Sequence, residues 1–217
     1  MSASANIILI EATQMRNCTR TVSYLLFLFL PSLATSSEPR IIRVEEDWDL
    51  VVIVPEPLQY SPQISTWMSP NDTLNNENFC ANFNHAQKDD YEGGGFQTCA
   101  YDGTAVRDDK VNRNGIKLSG NGELLKWTQV MAIINQELVF AIKEGTSQCW
   151  GDFGGPDSLV RIPTSLGNLN GYSPNRSAEW SGIGYGSNRV SLLKLSKVRY
   201  FTDQGQVIES TVNLQLK

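Results

Sequence analysis

The chain has 217 residues, 41% apolar, 19% charged and 9% aromatic, with a formal charge of -5. That composition is globular and excludes a collagen-like repeat, a coiled coil and a disordered chain. The acidic balance argues against nonspecific nucleic-acid binding, which needs clustered Lys and Arg, and the length fits one domain with extras.

The first element is an address. Arg16 and Arg20 precede the apolar run from Val22 to Leu30, and Ser32 and Ala34 supply small residues before a polar stretch. Positive flank, short apolar centre and small residues predict a secretory signal over 1–34, cleaved after Ala34. The run is about half the ~20 residues needed to span a bilayer. The mature domain is then 35–217, exported to the periplasm, cell surface or medium, with no integral membrane segment.

Residues 41–54 read as two short apolar patches flanking the acidic patch Glu45, Glu46, Asp47 and Asp49. β-branched content makes the patches strands. Residues 58–77 read as loop. Phe79, Ala81, Phe83 and His85 then share one face of a strand, and Phe96–Tyr101 forms the next. A polar loop is predicted from Asp102 to Gly122.

Residues 123–144 read as two strands turning at Asn135-Gln136, with Leu138, Phe140 and Ile142 on one face. A single buried helix is the competing reading, because no Gly or Pro interrupts the stretch. Residues 145–187 are rich in Gly, Ser, Asn and Pro, with one strand candidate at Leu159–Ile162. Strand 189–202 needs a bulge near Ser196-Lys197 to keep one core face. It turns at Asp203–Gly205 into a last strand that alternates Ile208, Ser210, Val212, Leu214 and Leu216 with polar residues. Many short strands with few helices predict an all-β, two-sheet antiparallel sandwich.

Few residues point to catalysis. His85 is the only histidine, and no Gly-x-Ser-x-Gly elbow or His-Glu-x-x-His motif is present. The reading leans away from an enzyme and expects no cofactor. Glu45, Glu46, Asp47 and Asp49 could supply a glycosidase pair, but they read more simply as a solvated or calcium-contacting edge. Asp102, Asp108, Asp109, Asn112 and Asn114 crowd one loop and could hold calcium, though the EF-hand spacing fails. Of the three cysteines beyond the signal, Cys80 and Cys99 are the disulfide candidates, in neighbouring strands; Cys149 would be left over. Trp67, Trp150, Tyr172, Trp180 and Tyr185 fall in predicted loops. With Asp152 they form a candidate ligand set, flat rings for sugar faces and polar groups for hydroxyls. The competing role for such rings is to plug the ends of the sandwich. Trp48 and Trp127 read as core.

Gly122-Glu-Leu-Leu-Lys-Trp127-Thr-Gln and Leu138-Val-Phe-Ala-Ile142, within 116–153, resemble the middle of concanavalin A-like and laminin-G-like jelly rolls. Lys197-Val-Arg-Tyr-Phe201 is similar to their closing strand. The resemblance implies a jelly-roll sandwich. The segments Val44–Leu50, Trp127–Met131 and Trp150–Gly154 more closely resemble exported proteins of planctomycete-type bacteria, which implies export and a bacterial origin. Three functions follow as expectations. The first is a non-catalytic module that binds glycan or another envelope component. The others are a structural or protein-interaction module, and a polysaccharide-active enzyme on the same fold.

Overall fold

A computed structural model describes residues 38–86, 92–113 and 115–217, and Glu38–Lys217 form one compact unit. The expected signal at 1–34 lies outside the described residues. Twelve strands occur in chain order: β1 (Ile41–Val52), β2 (Gln63–Met68), β3 (Glu77–His85), β4 (Gly94–Asp102), β5 (Ala105–Asn112), β6 (Glu123–Ile134), β7 (Glu137–Ser147), β8 (Gly151–Phe153), β9 (Val160–Pro163), β10 (Gly182–Tyr185), β11 (Val190–Thr202) and β12 (Val207–Gln215). One helix, α1 (Pro174–Trp180), precedes β10. A seven-stranded sheet runs β12-β11-β1-β6-β7-β8, with β9 also on β7. A five-stranded sheet runs β10-β2-β3-β4-β5. The pairings are antiparallel, so the chain is an all-β sandwich. Among the described residues no helix is long and apolar enough to cross a membrane.

Alternation builds the core. Val44, Trp48, Leu50 and Val52 point inward from β1, and Phe79, Ala81 and Phe83 point inward from β3, all buried. Trp48 and Trp127 stack as cross-strand partners, with centroids 6.1 Å apart. Phe83 meets Trp127 at 4.5 Å, and Phe79 meets Phe140 at 5.3 Å, which joins the two sheets. Each large apolar side chain removed from water contributes about 1.5–3 kcal/mol.

The competing helix over 123–144 does not form. β6 and β7 pair as a hairpin across Asn135 and Gln136, whose φ values are 51° and 65°. Two positive φ values make the two-residue turn that strand twist favours, and glycine suits its second position best. Gln136→Gly is therefore expected to raise stability by roughly 0.5–1 kcal/mol, read by urea denaturation.

Several local expectations are corrected. The two patches of 41–54 are one strand, because β1 carries its acidic residues through the centre of the sheet. The expected loop 58–77 contains β2, and the expected loop 102–122 contains β5. The calcium candidates of that loop are dispersed by β5. Asp102 pairs with Arg107, Asp108 accepts from the Arg161 N–H, and Asn112 donates to the Asp157 carbonyl. Asp109 lies on the opposite face of β5 from Asp108, and Asn114 lies outside the described residues. The Ser196-Lys197 bulge is present as a register shift on β12. β12 is the sheet edge, so Ile208 on its expected core face is 50% exposed.

Candidate functional site

The ligand candidates separate by burial. Trp150 is a core ring: it donates its indole N–H to the Ile116 carbonyl and packs 5.6 Å from Phe153. Tyr172 is buried too and donates to Glu46 Oε1 at 2.6 Å. Both plug the sandwich rather than face solvent. Asp152 is exposed on β8, at the far edge of the seven-stranded sheet.

Trp67 and Tyr185 both lie on the outer face of the five-stranded sheet, Tyr185 opposite Gln63, four residues along β2 from Trp67. The register assigns this face residue by residue. Inward go Ile64, Thr66 and Met68 of β2, and Phe96, Thr98 and Ala100 of β4. Outward go Gln63, Ser65 and Trp67 of β2, Cys80 and Asn82 of β3, Gln97, Cys99 and Tyr101 of β4, and Asp109 and Val111 of β5. Tyr185 pairs with Gln63 from β10, is 49% exposed, and donates its hydroxyl to Gln59.

Two features dominate this face. Trp67 and Tyr101 form a half-buried ring pair, centroids 5.7 Å apart and planes tilted by 34°. Beside it runs a polar row, Ser65, Asn82 and Gln97, one from each of three adjacent strands. The Ser65 hydroxyl donates to Asn82 Oδ1 at 2.7 Å and the Cys80 thiol to the same oxygen at 3.2 Å, which fixes the amide of Asn82, a residue only 9% exposed. Gly182 ends the row on β10, with open space where a side chain would stand. Trp180 is half-buried at the β2 edge. The next residue, Ser181, accepts the Trp67 backbone N–H at 2.9 Å and anchors to the Ser177 carbonyl at 2.6 Å.

Cys80 and Cys99 are direct cross-strand partners at the centre of this face, both are buried, and neither is in a disulfide. Gly103 donates its N–H to the Asn76 carbonyl, which extends the β3–β4 register by one pair. Counting in twos makes Cys80/Cys99 a hydrogen-bonded pair, with Cα atoms about 5.5 Å apart. A disulfide needs Cβ atoms about 3.5–4.5 Å apart, closer than such pairs ordinarily stand. The expected bridge is not found, and the two thiols stand opposite each other on β3 and β4. Burial, and then the neighbouring Cys99, push the Cys80 thiol well up, which disfavours the reactive thiolate. Cys149 donates its thiol to Glu123 Oε2 at 2.6 Å.

The acidic patch of β1 is divided by alternation. Glu45, Asp47 and Asp49 face outward from the seven-stranded sheet, while Glu46 faces the core. Arg199 of β11 grips both oxygens of Asp47 at 2.6 Å and Glu45 Oε2 at 2.9 Å. Arg43 and Lys143 also pair with Glu45. Burial alone would raise both carboxyls, but the Arg199 hydrogen bonds and the surrounding cations hold them below the usual range. Glu46 is held by the Trp48 indole N–H at 2.8 Å, the Gln129 amide at 2.6 Å and Tyr172. Burial raises its carboxyl, and the donors offset only part of that.

An open groove of about 420 Å³ crosses the outer face of this sheet, lined by Asp47, Asp49, Lys126, Thr128, Glu144 and Ser196 among others. Glycoside hydrolysis needs one carboxyl that keeps its proton and a second within about 5–9.5 Å on the same side of the substrate. Here the raised carboxyl is inside the core and the lowered ones are outside.

Strand parity within the expected strands puts Asn82, Gln97 and Tyr101 opposite the core face, whereas Ser65 falls in the segment read as loop. No family model matches the sequence, and no curated protein does.

Proposed function

We propose that the protein is an exported, non-catalytic glycan-binding sandwich whose ligand lies across the outer face of the five-stranded sheet. The observation that carries this is the Trp67–Tyr101 ring pair beside the Ser65–Asn82–Gln97 row. A pyranose offers an apolar face of C–H groups and a rim of hydroxyls. Aromatic rings meet the first and amides or hydroxyls the second. Tyr185 extends the surface to the β10 edge. Five strands at about 4.8 Å spacing give a track roughly 19 Å wide, room for several sugars. The glycosidase reading is disfavoured because the β1 carboxyls are clamped or buried.

The test is depletion of the folded protein by a panel of soluble and insoluble polysaccharides, with Trp67→Ala and Tyr101→Ala beside the parent chain. Retention on at least one polymer is expected. Trp67→Ala is expected to weaken it roughly 30-fold, as loss of a central aromatic anchor of about 2 kcal/mol does. Retention that is indifferent to both substitutions, or absent on every polymer, overturns the proposal.

The runner-up reading, a protein-interaction module, draws on Val54 and Leu58, which are 55% and 84% exposed in the β1–β2 connection. It predicts that the ring substitutions leave partner binding intact.

A further inference from the structure

Resting on the glycan-binding reading, we infer that the preferred ligand is a glycan with free amino groups, carried as ammonium, rather than a neutral or acidic chain. The outward strand positions of the five-stranded sheet include one charged residue among those described, Asp109 of β5, paired across from Cys99. Asp109 is exposed, and no ion pair joins it among the described residues. Arg107, at the β5 bulge, is taken up by Asp102 at 2.8 Å, and Lys110, next to Asp109 in sequence, pairs with Asp108 at 3.7 Å. Lys110 falls on the opposite parity, across from Thr98.

Asp109 is diagonal to Tyr101 on the same face, a separation of about 7–8 Å between backbones that side chains close. An ammonium lying between them meets the negative face of a ring and a carboxylate together. The same sugar's C–H face is left for Trp67 and its hydroxyls for Gln97 and Asn82. Tyr101 stays a neutral phenol, since burial and then the neighbouring thiols and Asp109 hold its proton on. A uronic acid or sulfate would instead meet Asp109 with no cation at the described outward strand positions to compensate it, and like charges so placed repel. The net charge of -5 works in the same direction at longer range.

The test uses soluble glucosamine oligomers, the same oligomers N-acetylated, and galacturonate oligomers. Each is titrated into the full chain at pH 6 with tryptophan fluorescence and calorimetry as readouts. Free-amine oligomers are expected to bind about fivefold more tightly than the N-acetylated ones, the scale of one exposed charge contact with a ring. Galacturonate is expected to bind most weakly. Asp109→Asn, a change on an exposed edge strand, is expected to abolish the amine preference while leaving N-acetylated binding unchanged. Equal affinity for amine and N-acetyl forms, or tighter binding of galacturonate, overturns the inference and leaves the glycan-binding reading standing. Absence of binding by all three overturns the inference as well, and the polysaccharide panel then decides the reading beneath it.

Discussion

Replacing Glu46 by Ala is expected to lower the unfolding free energy by about 3–5 kcal/mol, the largest effect of any single substitution proposed for this chain. The side chain joins three separate pieces of the sandwich: β1 through Trp48, β6 through Gln129, and the segment before α1 through Tyr172. Truncation leaves an indole N–H, an amide and a phenol buried without their acceptor, besides an unfilled space. The disturbance extends further, because Thr66 of β2 donates to the carbonyl end of Gln129 at 2.9 Å. Equilibrium urea unfolding of both chains measures the difference. A loss under 1 kcal/mol would show that these groups find other partners.

Glu46→Gln gives the same site a pH signature. Its folded-state carboxyl is raised above the ordinary 4.5, chiefly by burial. A raised acid stabilises the fold fully below its unfolded value, and that contribution fades as pH climbs through the folded value. Titrating the parent from pH 4.5 upward should therefore lose a component of stability that Glu46→Gln does not lose. The variant itself starts about 1–2 kcal/mol lower, since its NH₂ meets donors rather than acceptors. Parallel pH curves for the two chains would rule out titration at Glu46.

Arg199→Met is expected to cost about 2–3 kcal/mol at neutral pH. The guanidinium makes a two-pronged contact with Asp47 and a further one with Glu45, whose side chain is 1% exposed. Its loss leaves Glu45 with Arg43 and Lys143, and Asp47 with the Thr128 hydroxyl. The sign with pH is opposite to that at Glu46. Glu45 and Asp47 are both held low in the fold, so their stabilisation is present above the unfolded value and is lost as pH falls through the folded one. The parent should therefore lose stability on acidification below about pH 4 more steeply than the variant. Thermal melts from pH 2.5 to 7 measure this. An unchanged acid limb would assign the acid sensitivity to other carboxyls, such as Asp203 beside Arg40.

Strand parity was readable wherever one face is oily and the other wet. It identifies the inward Phe79, Ala81 and Phe83, the inward Leu138, Phe140 and Ile142, and the bulge in β11. It fails where a strand is polar on both faces. β5 carries Arg107, Asp108, Asp109 and Lys110 in succession and reads as loop, although it is a bonded edge of the sheet. Loop-like composition misleads in the other direction at Trp150. That ring sits in a Gly-flanked turn, yet it stacks on Phe83 at 6.2 Å and closes one side of the core. The candidate face was half legible. Trp67 and Tyr185 stood out as aromatics among polar neighbours. Their partners did not, because Ser65, Asn82, Gln97 and Tyr101 come from three strands that only the pairing register brings side by side.

The alternating acids of β1 also guard the assembly of the sheet. A slip of one residue against β6 or β11 would turn Glu45, Asp47 and Asp49 toward the apolar layer and strand Glu46 among the cations outside. Three carboxylates forced from water cost far more than a few misplaced methyl groups would. Mispaired versions of the sandwich are therefore unfavourable from the moment its central strand docks, and the correct alignment is selected by what the wrong ones would bury.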